Sequence, residues 1–129
     1  MALLLDTHAL LWWLDESSGR LSDDAREAIA SSQEQVMVSS VTAFEIATKH
    51  AIGKMDGVDR LIGAFEYRLA REGFVSLPLV IPHALAAGAL PLIHRDPFDR
   101  LLIAQAQLED AVLVSNEKLF DSYGVRRLW

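Results

Sequence analysis

Short aliphatic runs, each breaking off at a polar or acidic turn from which a helical pattern starts, restrict the possible folds more than any other feature of the chain. Ala2 to Leu5 stops at Asp6-Thr7-His8, and Ala9-Leu10-Leu11-Trp12-Trp13-Leu14 follows at once. The order recurs around Val38-Ser39-Ser40 and around Val114-Ser115-Asn116. Strands alternating with amphipathic helices are the pattern of a parallel sheet covered by helices on both faces. The expected strands lie near 2–5, 35–39, 74–77, 111–114 and 125–128. Ser22 reads as an N-cap followed by Asp23 and Asp24, opening a helix to about Ser31. Val41 to Lys54 is a second helix with Gly53 near its end, and Asp59 to Arg71 a third that stops at Gly73. Ile81 to Ala89 is short, with Pro82 in its first turn; Pro97 to Leu108 is long and apolar, and Glu117 to Ser122 is a final short helix.

A chain of 129 residues with 51% hydrophobic content can bury a sizeable core, and residues 1–129 are expected to form a single domain. There are no cysteines, so disulfides, thiolate metal sites and cysteine nucleophiles are excluded. Any metal has to be held by oxygen or imidazole. The run from Ala9 to Leu14 is too short to span a bilayer and the first residues lack a basic region, so the expectation is a soluble, cytoplasmic protein. A formal net charge of −6 argues against broad, non-specific attachment to nucleic acid, which needs Lys and Arg. A metal-mediated contact is untouched by that argument.

Four separated segments place a carboxylate at a strand end or in the first turns of a helix: Asp6, Glu45, the pair Asp96 and Asp99, and Glu117. Each also has a plain structural explanation. Asp6 follows a strand, where ligand sites of open α/β sheets lie, yet it equally suits the N-cap of the next helix. Glu45 is one turn into a helix that follows a strand; a first-turn glutamate can simply meet the helix dipole, but Phe44 and Ile46 flank it, so it needs a partner. Asp96 before Pro97 has the form of an N-cap with proline at the first helical position, which leaves Asp99, one turn on, to project into a cluster. Ser115 can cap the last helix or meet a ligand water, and Glu117 can ligate metal or serve as an ordinary first-turn acid.

Like charges gathered at one sheet edge repel and raise one another's pKa values. Hard divalent cations relieve this, and all-oxygen sites suit Mg²⁺ or Mn²⁺. Magnesium is commonly held by one or two carboxylates together with substrate phosphate, which points to phosphodiester chemistry. In two-metal sites the ions stand about 3.5–4 Å apart and serve the attacking and leaving oxygens of an in-line displacement.

The segments Leu4-Leu5-Asp6-Thr7-His8-Ala9-Leu10-Leu11-Trp12-Trp13, Val38-Ser39 through Glu45-Ile46-Ala47 with Gly53-Lys54, Leu77-Pro78, His94-Arg95-Asp96-Pro97-Phe98-Asp99-Arg100-Leu101-Leu102-Ile103-Ala104-Gln105-Ala106, and Leu113-Val114-Ser115 to Phe120 with Tyr123-Gly124-Val125 and Leu128-Trp129 occur in a telling order and spacing. In these the chain resembles the PIN-domain ribonucleases, and within them the VapC-type toxins of type II toxin–antitoxin pairs. The resemblance implies a PIN-like three-layer α/β/α fold with a central parallel five-stranded sheet. It further implies an Mg²⁺- or Mn²⁺-dependent endoribonuclease, RNA as substrate, a homodimer, and a cognate antitoxin that joins it in a higher assembly and covers the site. Matched to the family pattern, the acids are Asp6, Glu45 and Asp99, with Asp96 auxiliary or capping. The fourth acid, normally Asp, falls on Glu117, a departure whose longer side chain can hold a second metal differently or through water; Ser115 matches the hydroxyl that accompanies it.

The implied chemistry has Asp6 and Asp99 as principal ligands and Glu45 completing the shell directly or through water, with no side chain acting as nucleophile. His8 is expected to pack or cap, although a general base remains open there; His50, His83 and His94 show no metal-ligand spacing and are expected at surface or core. Trp12, Trp13 and Trp129 suit core or dimer interface better than base stacking. Two rival functions remain: a structure-specific DNA nuclease, because metal and phosphate are common to both substrates, and a non-catalytic PIN-like interaction module, hinted at by Glu117. A haloacid-type phosphatase would want a second Asp two residues after Asp6, where His8 stands.

Overall fold

Successive side chains of a strand point to opposite faces, so an all-apolar strand needs cover on both. Leu3–Leu5 (β1) behaves in this way: Leu3 and Leu5 enter one core and Leu4 the other. The computed structural model describes all residues, 1–129. After β1 come helices Thr7–Leu14 (α1) and Asp23–Ser31 (α2), strand Val36–Ser39 (β2), helices Ser40–Ala51 (α3), Asp59–Gly63 (α4) and Phe65–Glu72 (α5), and strand Val75–Leu77 (β3). Ile81–Ala89 (α6), Pro97–Leu108 (α7), Val112–Val114 (β4) and Arg127–Leu128 (β5) complete the order, with short 3₁₀ turns at Glu16–Ser18 and Lys118–Tyr123. No helix is long and apolar enough to cross a membrane.

All four strand pairings are parallel and the sheet order is β3-β2-β1-β4-β5. Leu3 stands opposite Val36 on one side and Val112 on the other, and Leu5 opposite Val38 and Val114. The chain therefore winds outward from β1 in one direction and returns to build β4 and β5 in the other. That reversal opens a crevice at the carboxyl ends of β1 and β4, where ligands of such sheets bind.

The two cores explain why the sheet is buried. On one face Leu3, Leu5, Val36, Val38 and Val114 meet Ala9 and Leu10 of α1, Ile29 of α2 and Leu69 of α5. On the other, Leu4, Met37 and Leu113 meet Leu102, Ile103 and Ala106 of α7 together with Phe120. The three-layer α/β/α arrangement expected from the sequence is the one observed. Trp12, Trp13 and Trp129 are half-buried and pack against the first core, Trp12 lying 5.7 Å from Trp129 between ring centroids.

Two expected helices differ. The segment 59–71 is not continuous: at Ala64 the backbone turns to φ −144°, ψ 39°, separating α4 from α5. Gly63, a weak helix former, immediately precedes the break. The last helix is a 3₁₀ turn over Lys118–Tyr123, with Glu117 outside it as the N-cap. Elsewhere the end signals hold: Ser22 caps α2, Ser39 caps α3, and Gly73 closes α5 at φ 76°.

Candidate active site

Each acid reaches the crevice by a different local device. Asp6 follows β1, is itself locked to β4 by its N–H donating to the Val114 carbonyl (3.1 Å), and caps α1 by accepting from Ala9 N–H at 2.8 Å. Capping and site membership are thus one geometry. Glu45 lies on the second turn of α3, which starts directly after β2. Asp96 caps α7, accepting from Phe98 N–H (2.8 Å) and Asp99 N–H (3.2 Å), and so fixes the turn that carries Asp99. Glu117 follows β4 and accepts from Leu119 N–H at 3.0 Å.

Asp6, Glu45, Asp96, Asp99 and Glu117 all line one cleft of about 130 Å³, together with Thr7, His8, Lys49, Asn116 and Phe120. Asp6 and Glu45 are buried, Asp99 is partly exposed and Glu117 stands in solvent at the mouth. Ser115 is buried beneath them: its hydroxyl accepts from Glu117 N–H at 3.0 Å and acts to lower the Asp6 pKa.

Burial pushes the Asp6 carboxyl above the usual carboxylate range, against the opposing pull of Ser115 and the Ala9 N–H, and the nearby Glu45 adds to the rise. Asp99 is pushed up to about 6, first by burial and then by the charges of Asp96 and Glu45, although His94 works in the other direction. His94 Nε2 stands 2.6 Å from Asp99 Oδ2. Glu45 Oε1 accepts from the Thr7 hydroxyl at 2.5 Å, and Oε2 meets Lys49 Nζ at 2.6 Å. The Lys49 ammonium is held above its ordinary pKa, chiefly by that hydrogen bond.

Asp6 and Asp99 are therefore oxygen donors whose ionisation is disfavoured by burial and nearby charge, the donor chemistry a hard divalent cation suits. No three His, Asp or Glu side chains are already drawn together as a metal cage. Their oxygens face internal donors instead, Glu45 toward Thr7 and Lys49 and Asp99 toward His94.

Sequence reasoning missed three participants, Thr7, Lys49 and His94. Lys49 is one helical turn beyond Glu45, and an i,i+4 Glu–Lys spacing signals such a pair. His94 was expected at surface or core without a ligand role; it instead braces an acid five residues on. Its own backbone is fixed by the Tyr123 hydroxyl, which accepts from His94 N–H at 2.7 Å, and by Arg100, which donates to its carbonyl at 3.1 Å. No spacing rule would have found that. His8 stacks on Trp12 at 5.2 Å and borders the cleft, while His50 and His83 bond elsewhere, to Met55 and Val80.

A three-layer α/β/α protein with a carboxylate-lined cleft at the switch point of a parallel sheet is the class that fold and site define. The PIN domain family model matches residues 3–125, and the chain belongs to that family. No curated protein matches by sequence. Among solved structures, VapBC2 of Rickettsia felis bound to a DNA fragment from its promoter is similar at 15% identity and TM-score 0.72, over 99% of this chain and 98% of that one. DNA-bound VapBC of Salmonella typhimurium follows at 19% identity and TM-score 0.71, covering 99% and 97%. A toxin–antitoxin complex from Klebsiella pneumoniae is similar at 22% identity and TM-score 0.58, covering 89% and 86%.

Proposed function

We propose that the protein is the toxin of a type II toxin–antitoxin pair and a divalent-metal-dependent endoribonuclease. The observation that carries the reading is the convergence of Asp6, Glu45, Asp99 and Glu117, from four separate segments, on one cleft at the sheet's switch point. Membership of the PIN domain family supports it, as does likeness to chains of complexes described as VapBC and toxin–antitoxin.

Asp6 and Asp99 would hold the metal, Mg²⁺ or Mn²⁺, with Glu45 completing its shell and Glu117 reaching in from the mouth directly or through water. A bound divalent ion supplies Lewis acidity to a phosphate oxygen and lowers the pKa of an attacking water. The chain's own part is placement. The α1 cap holds Asp6, the Asp96 cap and His94 aim Asp99, and Thr7 fixes one Glu45 oxygen. Asp96 is an auxiliary that shapes the turn, and Ser115 steadies both Asp6 and the Glu117 backbone.

A cognate antitoxin would cover this cleft, and its acidity selects a basic side chain as the plug. Exposed apolar side chains at Ile81 and Leu85 of α6, and at Leu92 and Ile93 after it, fit a homodimer that covers them. The test is cleavage of a total-RNA and tRNA panel by purified, antitoxin-free protein with Mn²⁺ or Mg²⁺. Cleavage should vanish with EDTA and in Asp6→Ala and Asp99→Ala. Cleavage that survives chelation or either substitution would refute the metal reading.

A further inference from the structure

Five carboxylates line the cleft, and Lys49 is the one Lys or Arg among its lining residues. Its Nζ lies 2.6 Å from Glu45 Oε2, while the Thr7 hydroxyl holds Oε1. Both oxygens of the buried glutamate are thus occupied from within. A metal on Oε2 would stand about 2.0–2.1 Å from that oxygen, and an ammonium held on the same oxygen would repel it. Thr7 is short and buried; Lys49 is one-third exposed on a flexible four-carbon stem. Lys49 is the partner that can leave.

Displaced from Glu45, the ammonium stays within the cleft, where the charges of Asp96 and Asp99 already act on it, and is placed to meet the negative group that follows the metal. Resting on the nuclease reading above, we propose that Lys49 has two posts: it sits on Glu45 as an internal counter-cation, and once a divalent ion takes that oxygen it turns to the substrate phosphate. It is a specificity-determining residue for a phosphodiester, and it discourages metal loading while no phosphate is present. The exchange also keeps the acid cluster from facing its own repulsion in the metal-free protein.

The experiment titrates Mn²⁺ alone into the metal-free full chain by calorimetry, for wild type, Lys49→Gln and Lys49→Arg. The same three proteins are then compared in kcat and KM on an RNA oligonucleotide that wild type cleaves. Lys49→Gln should bind Mn²⁺ up to about fivefold more tightly, because the competing ammonium is gone. Its KM should rise roughly tenfold with a smaller change in kcat, as a charged phosphate contact is lost. Lys49→Arg keeps the charge and should hold KM within about threefold of wild type.

Unchanged or weaker Mn²⁺ binding in Lys49→Gln would overturn the exchange, whatever the RNA result. Tighter Mn²⁺ binding with unchanged KM would overturn the phosphate role. Should wild type cleave no RNA, the nuclease reading fails and the phosphate role with it, while the Mn²⁺ titration still decides whether lysine and metal compete.

Discussion

Replacing Asp99 with Asn should stabilise the metal-free protein at neutral pH, although it removes one of the acids proposed to hold metal. Asp99 ionises at about 6 in the folded chain, against 3.8 for the free side chain, because burial and the charges of Asp96 and Glu45 oppose its anion. The rise is roughly two pH units, and at about 1.36 kcal/mol per unit the charged form costs at most ~3 kcal/mol in the folded state. The side chain is one-quarter exposed, so solvent screening lowers this to about 1–2 kcal/mol. Asn remains able to accept from His94 Nε2, so the bracing contact survives while the buried charge does not. The folded state binds this proton more tightly than the unfolded chain, so wild-type stability falls as pH rises from 3.8 to about 6 and is flat above. The Asn variant should therefore melt about 4–8 °C higher at pH 7.5 in EDTA, with the advantage shrinking below pH 6 and gone below pH 4. Thermal melts across that range by circular dichroism are the assay. An Asn variant no more stable at pH 7.5, or an advantage that ignores pH, would refute the electrostatic account of the cleft.

Arg100 is buried without a carboxylate partner and donates to the carbonyls of Ala87, Leu90, Pro91 and His94 at 2.8–3.1 Å, so it ties the end of α6 to the turn bearing His94. Arg100→Met should cost about 2–4 kcal/mol in urea denaturation, because those carbonyls lose their donor. His94→Ala should raise the Asp99 pKa further, since His94 holds it down; the acid limb of the pH–activity profile and the carboxyl chemical shift in an NMR titration should both move to higher pH. Gly124 ends the 3₁₀ turn at φ 71°, and Gly124→Ala should cost about 1 kcal/mol by thermal melt while leaving Mn²⁺ binding unchanged.

Much of the fold was legible because strand and helix ends are local chemistry. Leu3-Leu4-Leu5 before Asp6, Ser22 before two acids, Asp96 before Pro97, and Gly73 after Arg71 and Glu72 each mark a boundary by hydrogen bonding within a few residues. The break at Ala64 was not legible, since the apolar spacing of Leu61, Phe65 and Leu69 suits one continuous helix and only the backbone shows the turn. The site divides in the same way. Asp6, Glu45, Asp99 and Glu117 were legible as acids following strands or opening helices, and the sheet order brings them to one crevice. What holds them there was not: the pairing of Thr7 with Glu45 bridges 38 residues, and the Tyr123 and Arg100 contacts that pin His94 depend on how α7 and the last turn pack. Those links are set by tertiary geometry, for which no short-range pattern exists.

The most direct test of the central claim is to soak crystals of the protein in Mn²⁺ and measure anomalous scattering at the manganese edge. The account predicts a peak in the cleft among Asp6, Glu45 and Asp99, with Lys49 withdrawn from Glu45, and no such peak in Asp6→Asn. A peak elsewhere, or none in this cleft at a concentration that saturates binding in solution, would contradict it.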